Sequence, residues 1–388
     1  MATGKFFRLD PRAIWGLPPD RNNIDFYDSW LRLWHKAGMD LSSFLSHVGF
    51  GLALCLISYA LTRLMIARVR IIDAPNERSS HTVPTPRSGG IAILITFFVG
   101  LAAVKLLGGD PALDQDFFWV FVGTALLIAV VSIFDDLAGL SFKAKLLTQI
   151  AAAIVVMSFG VVVDRLGLPG IGMVDLGLWG YPLTLIWIVC LTNAFNFMDG
   201  IDGLSGGTVV VAASFFAAIT FLQGSTFVYL MSIVLVWSCL GFLILNWQPA
   251  KIFMGDSGSQ FLGFVLAVLA VIAGKFDASH TSYMVMVLLF FHYIWDTAYT
   301  FIRRLKNGER VTDAHRSHLY QLMNRLGLSH VQVTLIYLSI GVLQGLGALA
   351  LINLDGSLRM LVFLPFLALQ IGLTITVTRR ARQQGLIA

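Results

Sequence analysis

The sequence predicts an all-α polytopic membrane protein with about eleven transmembrane helices and a functional site built by loops at one membrane face. Three observations carry that expectation. Of the 388 residues, 57% are apolar and 13% charged, and the mean hydropathy is +0.78, outside the range of soluble domains. Apolar runs of roughly 17 to 22 residues, long enough to cross a hydrocarbon core, recur along the chain. Successive loops also differ sharply in basic residues.

In chain order the spans fall near 43–67, 89–107, 116–134, 144–163, 183–197, 207–222, 226–246, 258–274, 282–302, 331–352 and 357–377. Residues 1–42 form an arm ahead of the membrane domain, 43–388. In the arm Phe26, Trp30, Leu33, Trp34 and Ala37 keep helical spacing, the pattern of an amphipathic helix lying in the interface. The first apolar run lacks a short basic n-region, so no signal peptide is expected. Cys55, Cys190 and Cys239 fall inside spans, without disulfide or metal-ligand spacing, and read as packing residues. Loops after odd-numbered spans, with the C-terminal tail, hold about 16 Lys and Arg against about 4 after even-numbered spans. Basic loops stay in the cytoplasm, so the C-terminus is expected there and the arm outside. The net charge of +5 follows from this bias. No basic patch with interleaved aromatics points to nucleic acid.

The acidic clusters share the basic face. After span 3 come Asp135 and Asp136, then Lys143 and Lys145; after span 5 the stretch NAFNFMDGIDGL brings Asn193, Asn196, Asp199 and Asp202. NWQPAKIFMGDSGSQ after span 7 adds Asn246, Lys251 and Asp256, and the loop after span 9 adds Asp313, His315, Arg316 and His318. The loop after span 1 contributes Asp73, Asn76, Arg78, His81 and Arg87. Outer loops are bland, apart from a Gly-rich stretch around Asp164 to Tyr181.

Several carboxylates at a bilayer surface repel one another unless a cation sits among them. Oxygen ligands without Cys or a repeated His pair suit a hard ion. Magnesium takes one or two protein carboxylates and completes its octahedron with water and phosphate, and manganese can substitute. Basic side chains in the same layer suit anionic oxygens, and together these features point to phosphoryl transfer. Glycines let backbone N–H groups approach phosphate, and the helix opening at Gly255 to Gly258 turns its positive dipole end toward the site. Each feature also has a plainer reading. The Asp135–Asp136 pair could be a solvated turn, GDSGS an ordinary N-cap, the DG pairs tight turns, and His315 and His318 interfacial histidines. His35, His47, His280, His292 and His330 take that plain reading, and Asp296, Arg303 and Arg304 are expected to pair or snorkel. The joint placement on one face favours function.

IFDD, NAFNFMDGIDGL, NWQPAKIFMGDSGSQFLG and AHRSHLYQ, preceded by DAPNERSSHTVPTPRSGGIAI, resemble the polyprenyl-phosphate N-acetylhexosamine-1-phosphate transferases over residues 68–330. HRSHLYQ, where other members carry a run of histidines, resembles the branch that starts bacterial O-antigen or capsule units. The resemblance implies transfer of a sugar 1-phosphate from a UDP-N-acetylhexosamine to undecaprenyl phosphate at the cytoplasmic face of the bacterial inner membrane, releasing UMP. It implies Mg²⁺ on Asp256 with Asn196, and catalytic carboxylates at Asp135, Asp136, Asp199 and Asp202. Asp135 is the expected orienting or proton-accepting group and Asp136 the support for Lys143 or Lys145, with exchange of the two roles as the alternative. His315, Arg316 and His318 are expected at the donor, with Asn193 and Asn246 nearby, and Arg87 and Lys145 at the lipid phosphate. Small residues in the spans permit a homodimer. An intramembrane aspartyl protease would need GxGD, where Phe253 stands here in FMGD. A secondary transporter would carry charges through the membrane and an inverted repeat, neither of which the sequence offers.

Overall fold

A computed structural model describes residues 41–69, 71–73, 84–107, 113, 115–168, 171–275, 281–310, 313, 315–354 and 358–387. The expected interfacial helix of the arm, with Asn76, Arg78, His81 and His280, lies outside the described residues. The chain divides into two units, 1–45 and 46–388, and the second carries everything below.

The helices are α1 (Leu41–Arg68), α2 (Gly89–Leu107), α3 (Asp116–Ala138), α4 (Phe142–Ser158), α5 (Gly180–Met198), α6 (Leu204–Leu222), α7 (Thr226–Asn246), α8 (Gly255–Lys275), α9 (Met284–Leu289), α10 (Phe291–Lys306), α11 (Leu319–Arg325), α12 (His330–Ile352) and α13 (Phe363–Gln383). Strands β1 (Ile72–Asp73) and β2 (Thr85–Pro86) pair antiparallel, as do β3 (Arg165–Leu168) and β4 (Gly172–Asp175). The β3–β4 hairpin occupies the Gly-rich outer loop.

Nine helical segments among the described residues are long and apolar enough to cross a membrane. The other two expected spans take different forms. The fourth is the 17-residue α4, and the ninth is broken at Phe290 into α9 and α10.

At the centre stands α8, every residue of which from Ser257 to Ala273 is buried. Its sequence is apolar on all sides, as a helix without a lipid or water face must be. It packs against α2, α3 and α5. Between lipid-bathed helices, close packing takes the place of the hydrophobic effect, so small residues mark the crossings. A Cβ added at Gly263 would stand 2.8 Å from Thr192 Cα and 2.9 Å from Phe195 Cβ on α5. On α1, Ser58 Oγ donates to Ser238 O of α7 at 2.6 Å, which satisfies a hydroxyl where no water can. The three cysteines are free thiols.

Candidate active site

Among the described residues the polar loops open at one end of the bundle, where α3, α5, α7 and α10 finish and α4, α6, α8 and α12 begin. Lys145, one turn into α4, places its ammonium 2.7 Å from Asp135 Oδ2 and 2.8 Å from Asp256 Oδ2. Asp135 also accepts the Leu140 amide at 2.7 Å as α3 terminates. Asp256 has a partner on each oxygen: Asn196 Nδ2 donates to Oδ1 at 3.0 Å, and Gln260 Nε2 reaches Oδ2 at 3.2 Å. Gln260 belongs to a chain of amides. Asn193 Nδ2 donates to Gln149 Oε1 at 2.6 Å, and Gln149 Nε2 donates to Gln260 Oε1 at 3.1 Å.

Beside this cluster lies a cavity of about 370 Å³. Lys145, Gln149, Asn193, Asn196, Asp199 and Gln260 line it together with Asp313, His315, His318, Tyr320 and Gln321, and Phe142 and Phe197 add apolar surface. Lys145, Asn193, Asn196, Asp199, His315 and His318, expected together from sequence, thus share one space, with Asp135 and Asp256 held against it through Lys145. Burial, aided by the charges of Asp256 and Asp136, pushes the Asp199 carboxyl up to about 7 against a partial offset from Ser205. Burial and the neighbouring His318, Arg304 and Arg303 charges hold the His315 imidazole down at about 4, so it is neutral near pH 7.

Several expected site residues do other work. Asp136 does not support Lys143 or Lys145. Its two carboxylate oxygens accept the backbone N–H groups of Asp256 and Ser257, both at 2.9 Å, so the first amides of α8 are satisfied by the protein instead of being offered to a ligand. Gly255 adopts φ +76°, and a Cβ there would meet Arg87 O at 2.5 Å and Asp136 Oδ2 at 2.8 Å; both conformation and space call for glycine. Arg87 Nη2 donates to Asp136 O at 3.0 Å, which sets Arg87 behind the aspartate pair and off the cavity wall. Asp202 turns to His330 Nδ1 at 3.2 Å and the Ala250 amide at 3.1 Å. Burial alone would raise its pKa, but the His330 contact and the Ala250 hydrogen bond hold it below the usual carboxylate range. Asn246 is spent on main chain: its Oδ1 accepts Gly203 N at 3.0 Å and its Nδ2 donates to Ile252 O at 2.8 Å. Lys143 is exposed, and Arg316, half-buried, does not line the cavity.

The expected pairing of Asp296 with Arg303 or Arg304 is also replaced. Asp296 accepts Leu319 N at 2.8 Å, Tyr320 N at 3.2 Å and the Tyr337 hydroxyl at 2.8 Å, and contacts His318 Nδ1 at 3.2 Å. Arg303 Nη2 donates to Ser317 O at 2.7 Å, and Arg304 pairs with Glu309 at 2.8 Å. One buried acid and Arg303 thereby shape the HRSHLYQ segment, while Arg304 holds the loop ahead of it through Glu309, Arg310 O and Asp313 O; His318 is stacked between His315 and Tyr320, centroids 4.9 and 6.0 Å away. Gln149 and Gln260 escaped sequence reasoning, although each stands four residues beyond a site residue, Lys145 and Asp256, and so on the same helix face.

A bundle of membrane-length helices with acids, amides and cations gathered around a cavity at one end defines a polytopic membrane protein with a charged pocket. The model for glycosyl transferase family 4 matches residues 118–274. A probable undecaprenyl-phosphate N-acetylglucosaminyl 1-phosphate transferase of Bacillus subtilis is 34% identical over 297 residues, covering 76% of this chain and 81% of that protein. A decaprenyl-phosphate N-acetylglucosaminephosphotransferase of Mycobacterium tuberculosis is 33% identical over 324 residues, 75% and 79% of the two chains. An undecaprenyl-phosphate alpha-N-acetylglucosaminyl 1-phosphate transferase of Escherichia coli K12 is 28% identical over 301 residues, 74% and 78%. The chain belongs to the polyprenyl-phosphate N-acetylhexosamine-1-phosphate transferase family.

Proposed function

We propose that the protein transfers an N-acetylhexosamine 1-phosphate from a UDP-sugar to a membrane polyprenyl phosphate, undecaprenyl phosphate in a bacterial inner membrane. The reaction opens assembly of a surface polysaccharide of the O-antigen or capsule kind at the cytoplasmic face. The single observation that carries this reading is the convergence of Asp135 and Asp256 on Lys145 at the edge of the cavity. In the reaction an oxygen of the lipid phosphate forms a bond to the β-phosphorus of the donor. The bond from that phosphorus to the bridging oxygen breaks, and UMP leaves with the electron pair.

Magnesium fits the donor set. Among the described residues no three His, Cys, Asp or Glu gather around a point, yet two carboxylate oxygens lie within 3 Å of the one ammonium. That matches an ion using one or two protein carboxylates with water and phosphate. Asp256 and Asp135, with Asn196, would hold it, and when bound it would neutralise the donor diphosphate. Repulsion between two phosphorylated substrates is the main barrier, and positioning with charge neutralisation is the main remedy. Lys145 brings a cation to the cavity. Asn196 and Gln260 fix the direction of Asp256, and neutral His315 offers a hydrogen-bonding edge to the donor. Asp199, which lines the cavity, suits the proton-accepting role better than Asp135, which meets the cavity only through Lys145. A group near 7 can take the last proton from a phosphate monoester whose second pKa is near 6.

The test supplies purified protein with UDP-N-acetylhexosamines, polyprenyl phosphate and Mg²⁺. UMP is expected only when all three are present. UMP release independent of the lipid, or no release with any UDP-sugar, overturns the reading, and a panel of donors ranks the sugar.

A further inference from the structure

Apart from the N-terminal arm, the end of the bundle away from the active site carries few cations. Between the span ends on that side the sequence places four Lys and Arg in all: Lys105, Arg165, Lys275 and Arg359. Scattered, they would be unremarked anchors. Three of them, Arg165 from β3, Lys275 from the last turn of α8 and Arg359 from the turn before α13, line a single cavity of about 300 Å³ together with Asp164, Ser282 and Tyr283. Among the lining residues one acid stands against three cations, and Asp175, opposite Arg165 in the β3–β4 register, offsets part of the charge without cancelling it, so the cavity stays net positive. Asp164 sits 3.6 Å from Lys275, and Arg359, which lines the cavity, is tied by its Nε to Leu354 O at 3.0 Å.

The surroundings identify the ligand class. On the hairpin and the following turn Ile171, Met173, Leu178 and Trp179 are 60 to 85% exposed, and Leu358 and Leu361, flanking Arg359, are about half exposed. Large apolar side chains presented outward at a helix-bundle end are a membrane-embedded rim. A cationic cavity inside such a rim suits a phosphate whose apolar tails remain in the bilayer. We infer that Arg165, Lys275 and Arg359 form a binding site for the phosphate of an anionic phospholipid head group, in the leaflet opposite the active site. The inference rests on the transmembrane arrangement and not on the transfer reaction, because α8 separates Lys275 from Asp256 by its whole length, about 30 Å.

Up to two net charges at the strength basic residues show toward anionic lipid surfaces predict up to roughly thirtyfold preference over a zwitterionic lipid. The experiment is native mass spectrometry of the full chain, released from nanodiscs holding equal phosphatidylglycerol and phosphatidylcholine of matched acyl chains. Wild type is expected to retain phosphatidylglycerol, and Arg165→Gln/Lys275→Gln/Arg359→Gln to lose the preference. Lys105→Gln, which removes the fourth cation of the same end, should leave it intact. Arg165→Lys/Arg359→Lys guards against misfolding by keeping the charge and most of the preference. Unchanged retention in the triple glutamine variant, or an equal loss in Lys105→Gln, overturns the site. Stabilisation by inorganic phosphate alone, with no lipid preference, overturns the lipid assignment and leaves a free-anion site.

Discussion

Replacing Asp136 separates docking from chemistry. Its carboxylate, 3% exposed as a residue, accepts two backbone N–H groups at 2.9 Å from the first turn of α8. A hydrogen bond to a charged group contributes about 1.5 to 3 kcal/mol. Asp136→Ala removes both acceptors and is expected to cost about 3 to 6 kcal/mol. Asp136→Asn keeps one acceptor and turns an NH₂ toward the other amide, a loss of about 1.5 to 3 kcal/mol plus about 0.3 to 1 for the helix end. The assay is unfolding in mixed micelles of increasing SDS fraction, with turnover measured per folded molecule on the same preparations. Stability should fall in the order wild type, Asn, Ala, and folded Asn variant should keep a measurable rate. An Asn variant as stable as wild type but about a hundredfold slower, the size of a lost acid–base group, would refute the docking role.

Two titrations of opposite sign share the window between about pH 4 and 7, so their slopes in melting temperature offset each other in wild type. Asp199 has its folded pKa raised, so its contribution to stability is complete below about 4 and is lost as pH rises through about 7; Asp199→Asn should remove that fall and leave stability rising with pH across the window. His315 has its folded pKa lowered, so its contribution is present above its ordinary value near 6.5 and is lost as pH falls toward about 4; His315→Gln should remove that rise and leave stability falling with pH. Equal slopes in variant and wild type would refute either assignment. Gln149→Leu and Gln260→Leu should each slow turnover about five- to tenfold, the worth of one hydrogen bond, and the double variant should be little worse than Gln260→Leu; additive losses would break the chain. Chelation should abolish UMP release and Mg²⁺ restore it in wild type but not in Asp256→Ala, and a fully active Asp256→Ala would remove the metal site.

Nine of the eleven expected spans, and the face that gathers the polar loops, were legible because both rest on run length and charge. That Lys145, Asn196, Asp199 and His315 share one cavity with Asp256 beside them followed from motifs whose loops meet at that face. What sequence could not show was which carboxylates serve the backbone. Asp136 and Asp202 look like Asp135 and Asp199 in composition and spacing. Only the tertiary fold brings the amides of Asp256 and Ser257 onto Asp136 and His330 onto Asp202. Asn246 is misread likewise, since an amide clamping Gly203 and Ile252 has the same letters as one awaiting substrate. Asp296, a lone acid near the end of an apolar run, gave no hint that a loop more than twenty residues later would fold onto it.

The hydrogen bond joining Asn196 to Asp256 spans two helices whose separation is fixed about two turns deeper, where Gly263 lets α8 touch α5. A single methyl there would act as a shim, prying the helices apart at their tightest point. Gly263→Ala should therefore blunt turnover from within the membrane while every reactive side chain keeps its identity. In such a molecule the sensitivity of the chemistry is written partly in lipid-shielded positions that no substrate ever meets.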